Sequence, residues 1–286
     1  MPEALGVALV DAVIVDYHAG ADLLACLESL QPSPKSITVV DNAGDGTSQS
    51  TLGTRWPGVW VVEPGMNLGF GAGINRGAAL GNAPYVLVAN PDIVLHDGAV
   101  DLLVAALEAN PRWCIAAPRV LRPDGSTYPS LRRFPSPLLA AAHALLSPLW
   151  EKNPFSERYR SAQVRDANYG VDWVSGACFL IRRSAFEQLG GFDEGYFMFA
   201  EDLDLCFRAH RLGHGIGSVD AAVVTHIEGV SRKKTPYRML VAHHRSALRF
   251  QSRSATGAAR LLLPAAAAVL GLRLGVALLT ERLGRG

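Results

Sequence analysis

The stretch ALVDAVIVDYHAGADLLACLESLQPSPKSITVVDN, Ala8 to Asn42, decides the fold. Ala8 to Val15 is a β-branched apolar run of strand length, and Ala21 to Leu30 follows with helical spacing through Leu23, Leu24, Leu27 and Leu30. Ile37 to Val40 is strand-like again. Strand, helix and strand in short units predict an α/β protein with a central, mostly parallel sheet, whose ligands bind beyond the carboxyl ends of the strands. Asp41 stands at such an end.

The pattern continues outward. Val59 to Val62 is a third strand, and Tyr85 to Ala89 is a fourth that runs straight into Asn90, Pro91 and Asp92. Proline stops a ladder, so Asp92 is presented from a strand end. Ala99 to Leu107 reads as helix, and Cys114 to Ala117 and Ala177 to Ile181 as strands. Between these strands, Pro118 to Asp172 is Pro-rich, carries Arg119, Arg122, Arg132 and Arg133, and includes an apolar patch from Leu138 to Trp150. A segment this long without periodicity is expected to be a lid or binding region.

The glycine-rich run Gly65 to Gly77 departs from the dinucleotide fingerprint, because Ile74 stands where the third glycine is required. A Rossmann oxidoreductase is disfavoured. Two readings of the run remain open: backbone N–H groups and a helix N-terminus near a phosphate, with Asn67 and Asn75 as polar contacts, or a turn followed by close helix packing.

GGFDEGYFMFAEDLDLCFRAHRLGHGIG, Gly190 to Gly217, places Glu201, Asp202 and Asp204 in the first turn of a helix that Gly213 ends. Acids there complement the positive helix end and cap free N–H groups. The preceding Tyr196, Phe197 and Phe199 suggest an aromatic wall that raises a carboxylate pKa toward that of a general base, and Asp202 is the candidate. Asp92 is a candidate ligand for a divalent cation on a diphosphate, since such an ion takes one or two carboxylates and leaves other positions to phosphate and water. His226, at the end of the strand-like Ala221 to Thr225, is a candidate imidazole ligand, which suits manganese better than magnesium.

Charge is split along the chain. The 27 Lys and Arg nearly balance the 26 Asp and Glu, yet residues 1–230 hold 16 basic against 25 acidic residues and residues 231–286 hold 11 against Glu281 alone. A basic tail of this kind suits an anionic membrane surface or a nucleic acid. No nucleic-acid reading module accompanies it, so a nucleic-acid partner is disfavoured. Leu261 to Leu279 is apolar apart from Pro264 and Arg273, and an arginine at mid-bilayer costs about 3 kcal/mol or more. An interfacial helix is expected in preference to a membrane span, with a helix packed on the protein as the alternative. The four cysteines are dispersed and make no CxxC pair, which suggests neither a zinc site nor a disulfide framework. The N-terminus lacks a basic n-region, so a cytoplasmic location is expected.

Together these motifs resemble the family 2 inverting glycosyltransferases of the GT-A fold. VVDNAGDGT (Val39 to Thr47), NLGFGAGINRG (Asn67 to Gly77), VANPDI (Val88 to Ile93), WVSGACFLIRRSAFEQLGGFDEGYFMFAEDLDLCFR (Trp173 to Arg208) and HIEGVS (His226 to Ser231) carry the resemblance. PDGSTYPS (Pro123 to Ser130) and WEKNPFSERYR (Trp150 to Arg160) point to the rhamnosyltransferases within it. The resemblance implies transfer of L-rhamnose from dTDP-rhamnose to a polyprenyl-diphosphate-linked N-acetylglucosamine at the inner face of the cell membrane. Another nucleotide sugar, such as UDP-galactofuranose or a UDP-hexose, and a non-catalytic nucleotide-sugar or membrane-binding module are the alternatives.

By the same resemblance Asp202 is the catalytic base, paired with Glu201. Asp41 contacts the nucleoside, and Asp16, Asn67, Gly69, Asn75, Asn90 and Asp92 complete the donor side. Trp173, Ser175 and Gly176 form the acceptor-side loop, and Asp92 and His226 hold Mn2+ or Mg2+. Two positions depart from the family pattern: Asn90 replaces the first acid of its D-x-D, and Asp16 stands where the family often has Asn. The implied organisation is a catalytic domain over 1–230, split into a nucleotide-sugar half (1–117) and an acceptor half (118–230), with a membrane-associating region over 231–286.

Overall fold

The computed structural model describes residues 7–30, 34–53, 55–134, 150, 153–154, 170–227 and 236–283. The expected patch at 138–149 and the run at 151–160 lie outside these residues, apart from Trp150, Asn153 and Pro154.

Strands β1 (Val10–Asp16), β2 (Ser36–Asp41), β3 (Val59–Val62) and β4 (Tyr85–Ala89) are parallel, in the order β3-β2-β1-β4. Helices α1 (Ala21–Ser29), α2 (Thr47–Leu52) and α3 (Phe70–Ala78) alternate with them. Every residue of β1 is buried, as expected of a parallel strand covered on both faces, and each of its Val and Ile side chains contributes about 1.5–3 kcal/mol by leaving water. The sheet continues through β9 (Cys178–Arg182), antiparallel to both β4 and β6 (Trp113–Leu121). β10 (Gly215–His226) runs parallel to β6, and β5 (Ile93–Leu95) closes the edge antiparallel to β10. A two-stranded ribbon, β7 (Leu131–Arg132) with β8 (Trp173–Val174), stands outside this eight-stranded sheet.

One core cluster packs α1 and α4 (Ala99–Ala109) against one face of the sheet. The other packs α3, α5 (Arg183–Gln188) and α6 (Glu201–Arg211) against the opposite face. The polar intrusion near the start of β1, Asp11, is satisfied by Ser36 Oγ at 2.6 Å, Ala83 N at 2.6 Å and Arg183 at 2.8 Å, which ties α5 to the sheet.

Close packing explains much of the glycine run. A Cβ on Gly77 would lie 2.4 Å from Val13, so α3 approaches β1 at a distance that only glycine allows.

After β10 the chain forms two further helices, α7 (Pro236–Ser254) and α8 (Leu263–Leu283). No helix among the described residues is long and apolar enough to cross a membrane. α8 packs along α7, while Leu261 and Leu272 stay exposed beside and on it.

Candidate active site

The carboxyl ends of β1, β2 and β4 gather the donor-side residues. Asp16 and Asp41 are register partners there, and both are buried. Asp16 accepts from Ala19 N at 2.9 Å and from Ser48 Oγ at 2.6 Å. Asp41 accepts from Ala43 N at 2.9 Å, Gly44 N at 3.2 Å and Ser48 N at 3.2 Å. These donors fold the loops at the strand ends and fix both carboxylates where the nucleoside contact is expected.

Asn75 is likewise held in place. Its Oδ1 accepts from Phe192 N at 2.8 Å, and its Nδ2 donates to Phe192 O at 2.9 Å and to Glu194 at 3.0 Å. The side chain locks α3 to the turn that leads into α6. Asn67 Oδ1 caps its own loop by accepting from Gly69 N at 2.9 Å. Gly69, at φ 88°, lies so close to the next segment that a Cβ would sit 2.1 Å from Phe197 O. Phe70 N donates to that same carbonyl at 3.2 Å.

Asn90 and Asp92 flank the turn between β4 and β5. Asn90 main chain is held by Ala177 O at 2.8 Å, and Asp92 O accepts from Ile227 N at 3.0 Å. That second bond draws the end of β10 over the turn, and His226 Nε2 comes to 3.2 Å from Asp92 Oδ1. The other ring nitrogen, Nδ1, is buried without a hydrogen-bond partner among the described residues, and the ring packs edge-on against Tyr128 at 5.0 Å. A carboxylate from the β4–β5 turn and an imidazole from the end of β10 fit a borderline divalent cation. No third His, Cys, Asp or Glu joins them among the described residues, so phosphate oxygens and water would fill the other positions.

The acids stand at the start of α6. The chain enters that helix through two consecutive left-handed residues, Phe199 (φ 68°) and Ala200 (φ 63°), which cost about 1–3 kcal/mol each for non-glycine residues. α7 holds this turn: Ser246 Oγ donates to Met198 O at 2.8 Å, and His243 packs against Phe199 with ring centres 5.4 Å apart. Asp202 Oδ2 accepts from Gly176 N at 2.7 Å and Oδ1 from Leu203 N at 2.8 Å.

Burial raises the Asp202 pKa, while the two main-chain donors and the Arg132 charge pull it back. Glu201 is buried, with Oε2 lacking a hydrogen-bond partner among the described residues. Burial first, and then the neighbouring Asp202 charge, push its pKa up to about 8. Asp204 has a separate task, pairing with Arg208 at 2.6 Å and accepting from the Tyr196 hydroxyl at 3.3 Å.

The expected aromatic wall is differently built. Tyr196 is buried toward Asp204, Phe197 is exposed and Phe199 faces α7. The ring that meets the Asp202 region belongs to Phe70: a Cβ on Gly176 would lie 3.0 Å from Phe70 Cε1 and 3.5 Å from Asp202 Oδ2. Trp173 and Ser175 are set by the ribbon, with Trp173 Nε1 donating to Arg133 O at 2.8 Å and Ser175 N to Ser130 O at 2.8 Å. Sequence reading missed Phe70, Tyr128 and the α7 contacts; an amphipathic pattern in α7 was the available signal for the last.

A family model described as glycosyltransferase-like family 2 matches residues 8–245, which include all of these strand ends and the acids of α6. The chain belongs to that family. It is 39% identical over 249 residues to the N-acetylglucosaminyl-diphospho-decaprenol L-rhamnosyltransferase of Mycobacterium tuberculosis, covering 82% of this chain and 81% of the relative. Rhamnosyltransferase WbbL of Escherichia coli K12 is 25% identical over 253 residues, 84% of this chain and 92% of the relative. Among solved structures, the mannosyltransferase PcManGT of Pyrobaculum calidifontis, in complex with GDP-Man and Mn2+, aligns with a TM-score of 0.58 at 17% identity, over 94% of this chain and 74% of that one. The fold is thus that of a GT-A glycosyltransferase, and the chain is a glycosyltransferase.

Proposed function

We propose that this glycosyltransferase moves L-rhamnose from dTDP-L-rhamnose to a polyprenyl-diphosphate-linked N-acetylglucosamine, with inversion, at an anionic membrane surface on the cytoplasmic side. The observation that carries the sugar and the acceptor is the 39% identity, spread over 82% of the chain, to a relative named for that transfer. The mechanism rests on the chain's own side chains. Asp202 takes the proton from the acceptor hydroxyl as that oxygen attacks the sugar. Its raised pKa makes it a better base than an exposed aspartate, and the N–H groups of Gly176 and Leu203 fix its orientation. Glu201 beside it is buried and favours its neutral form, so it does not compete for that proton.

Asp92 and His226 would hold a divalent cation, which supplies positive charge to the departing diphosphate. One base and no second carboxylate nucleophile give a single displacement, hence inversion. Calorimetric titration with a panel of nucleotide sugars, with and without manganese, tests the donor. Metal-dependent binding of dTDP-rhamnose above UDP-sugars is expected, and a preference for a UDP-sugar would replace the donor.

A further inference from the structure

Arg132 ends β7 and is the register partner of Trp173 in β8. Its guanidinium carbon lies 5.3 Å from the centre of the Trp173 ring, and its Nε donates to Pro129 O at 3.0 Å. The indole beneath is itself pinned through Nε1 to Arg133 O at 2.8 Å. Among the described residues the ion pairs occupy Arg55, Arg183, Arg208, Arg249 and Arg253, and Arg132 is not one of the paired arginines. A guanidinium carries five donors, of which the Nε–H is spent on the backbone. Three residues beyond Trp173, Gly176 N holds Asp202, a separation of at most about 10 Å along an extended chain. The Arg132 charge is felt at Asp202, where it opposes the effect of burial.

A guanidinium held over an aromatic face presents a planar fork, which matches a phosphate bidentately where lysine offers only a point charge. We propose that Arg132, seated on Trp173, binds a substrate diphosphate beside Asp202. The inference rests on reading the chain as a transferase whose donor and acceptor each carry a diphosphate. Asp92 and His226 would attend to one of them, and among the described residues Arg132 is the cation beside Asp202 for the other. Trp173 and Ser175 belong to the loop expected on the acceptor side, so the acceptor is the nearer source.

The test uses the full chain with Arg132→Gln and Arg132→Lys, checked for unchanged melting temperature. Inorganic diphosphate, titrated calorimetrically without divalent metal, is expected to bind Arg132→Gln about tenfold more weakly than the unaltered chain, with partial recovery in Arg132→Lys. In transfer assays, a rise of about tenfold in KM for the lipid-diphosphate acceptor at constant donor affinity assigns the acceptor's diphosphate. Weakened donor binding alone assigns the donor's. Equal diphosphate binding and unchanged constants for both substrates in a folded Arg132→Gln overturn the proposal, as does an unaltered chain that fails to bind diphosphate. The diphosphate titration needs no sugar, so it reads Arg132 even if rhamnosyl transfer itself fails.

Discussion

At the scale of single residues, two adjacent carboxylates in one helical turn are set to different work by their surroundings. Asp202 keeps two main-chain donors and half-buried access to the site, whereas Glu201 is sealed away with an unpartnered oxygen. Asp202→Asn should leave donor binding nearly unchanged and lower turnover by about 100-fold or more, the loss expected of a general base. Single-turnover rates beside calorimetric donor affinity check this, and unchanged turnover would remove Asp202 from the role. For Glu201 the folded pKa lies above the unfolded value, so between about pH 4.5 and 8 the folded state binds more protons and stability falls as pH rises. Glu201→Gln should flatten that slope, with its largest gain at pH 8; denaturant unfolding at pH 5 and pH 8 would show an equal effect at both if the account is wrong. Asp92, His226, Glu201 and Asp202 could be singled out because strand ends and helix starts are where ligand-facing side chains gather. The Phe192 partner of Asn75 was not legible, because it lies 117 residues away and no local spacing encodes it.

At the scale of elements, the decisive contact is between α7 and the turn before α6. Phe199 and Ala200 keep their left-handed backbone because Ser246, His243 and Phe250 pack behind them and behind Tyr196. Ser246→Ala removes one hydrogen bond to Met198 O, at a cost of about 1 kcal/mol. Displacing the acids by a fraction of an ångström should lower turnover by about tenfold while donor affinity holds. A parallel loss of donor affinity would contradict the contact's proposed role. Strands β1 to β4 and helices α1 and α4 were readable from periodicity, since each is short and apolar, whereas the polar α2 and the three-residue β5 were not. α7 was not read as part of the site, because its basic composition looks like a solvated tail until its partners are known.

At the scale of the molecule, the charge asymmetry is met in part from within. Arg249 pairs with Asp193 at 2.8 Å, and Arg253 reaches Asp193 at 3.2 Å and Asp204 at 3.5 Å, so part of the basic tail is spent on the acids around α6. Exposed Leu261 and Leu272 lie beyond these pairs. Deleting 257–286 should weaken sedimentation with anionic vesicles in a salt-dependent way and spare donor binding, because α7 and its contacts remain. Vesicle binding unaffected by the deletion would move membrane contact elsewhere.

The most direct measurement follows labelled rhamnose from dTDP-β-L-rhamnose onto polyprenyl-diphospho-N-acetylglucosamine and reads the anomeric configuration of the product by NMR. The account predicts an α-linked product from the unaltered chain and almost none from Asp202→Asn. A retained β linkage, or transfer that survives Asp202→Asn undiminished, would contradict it.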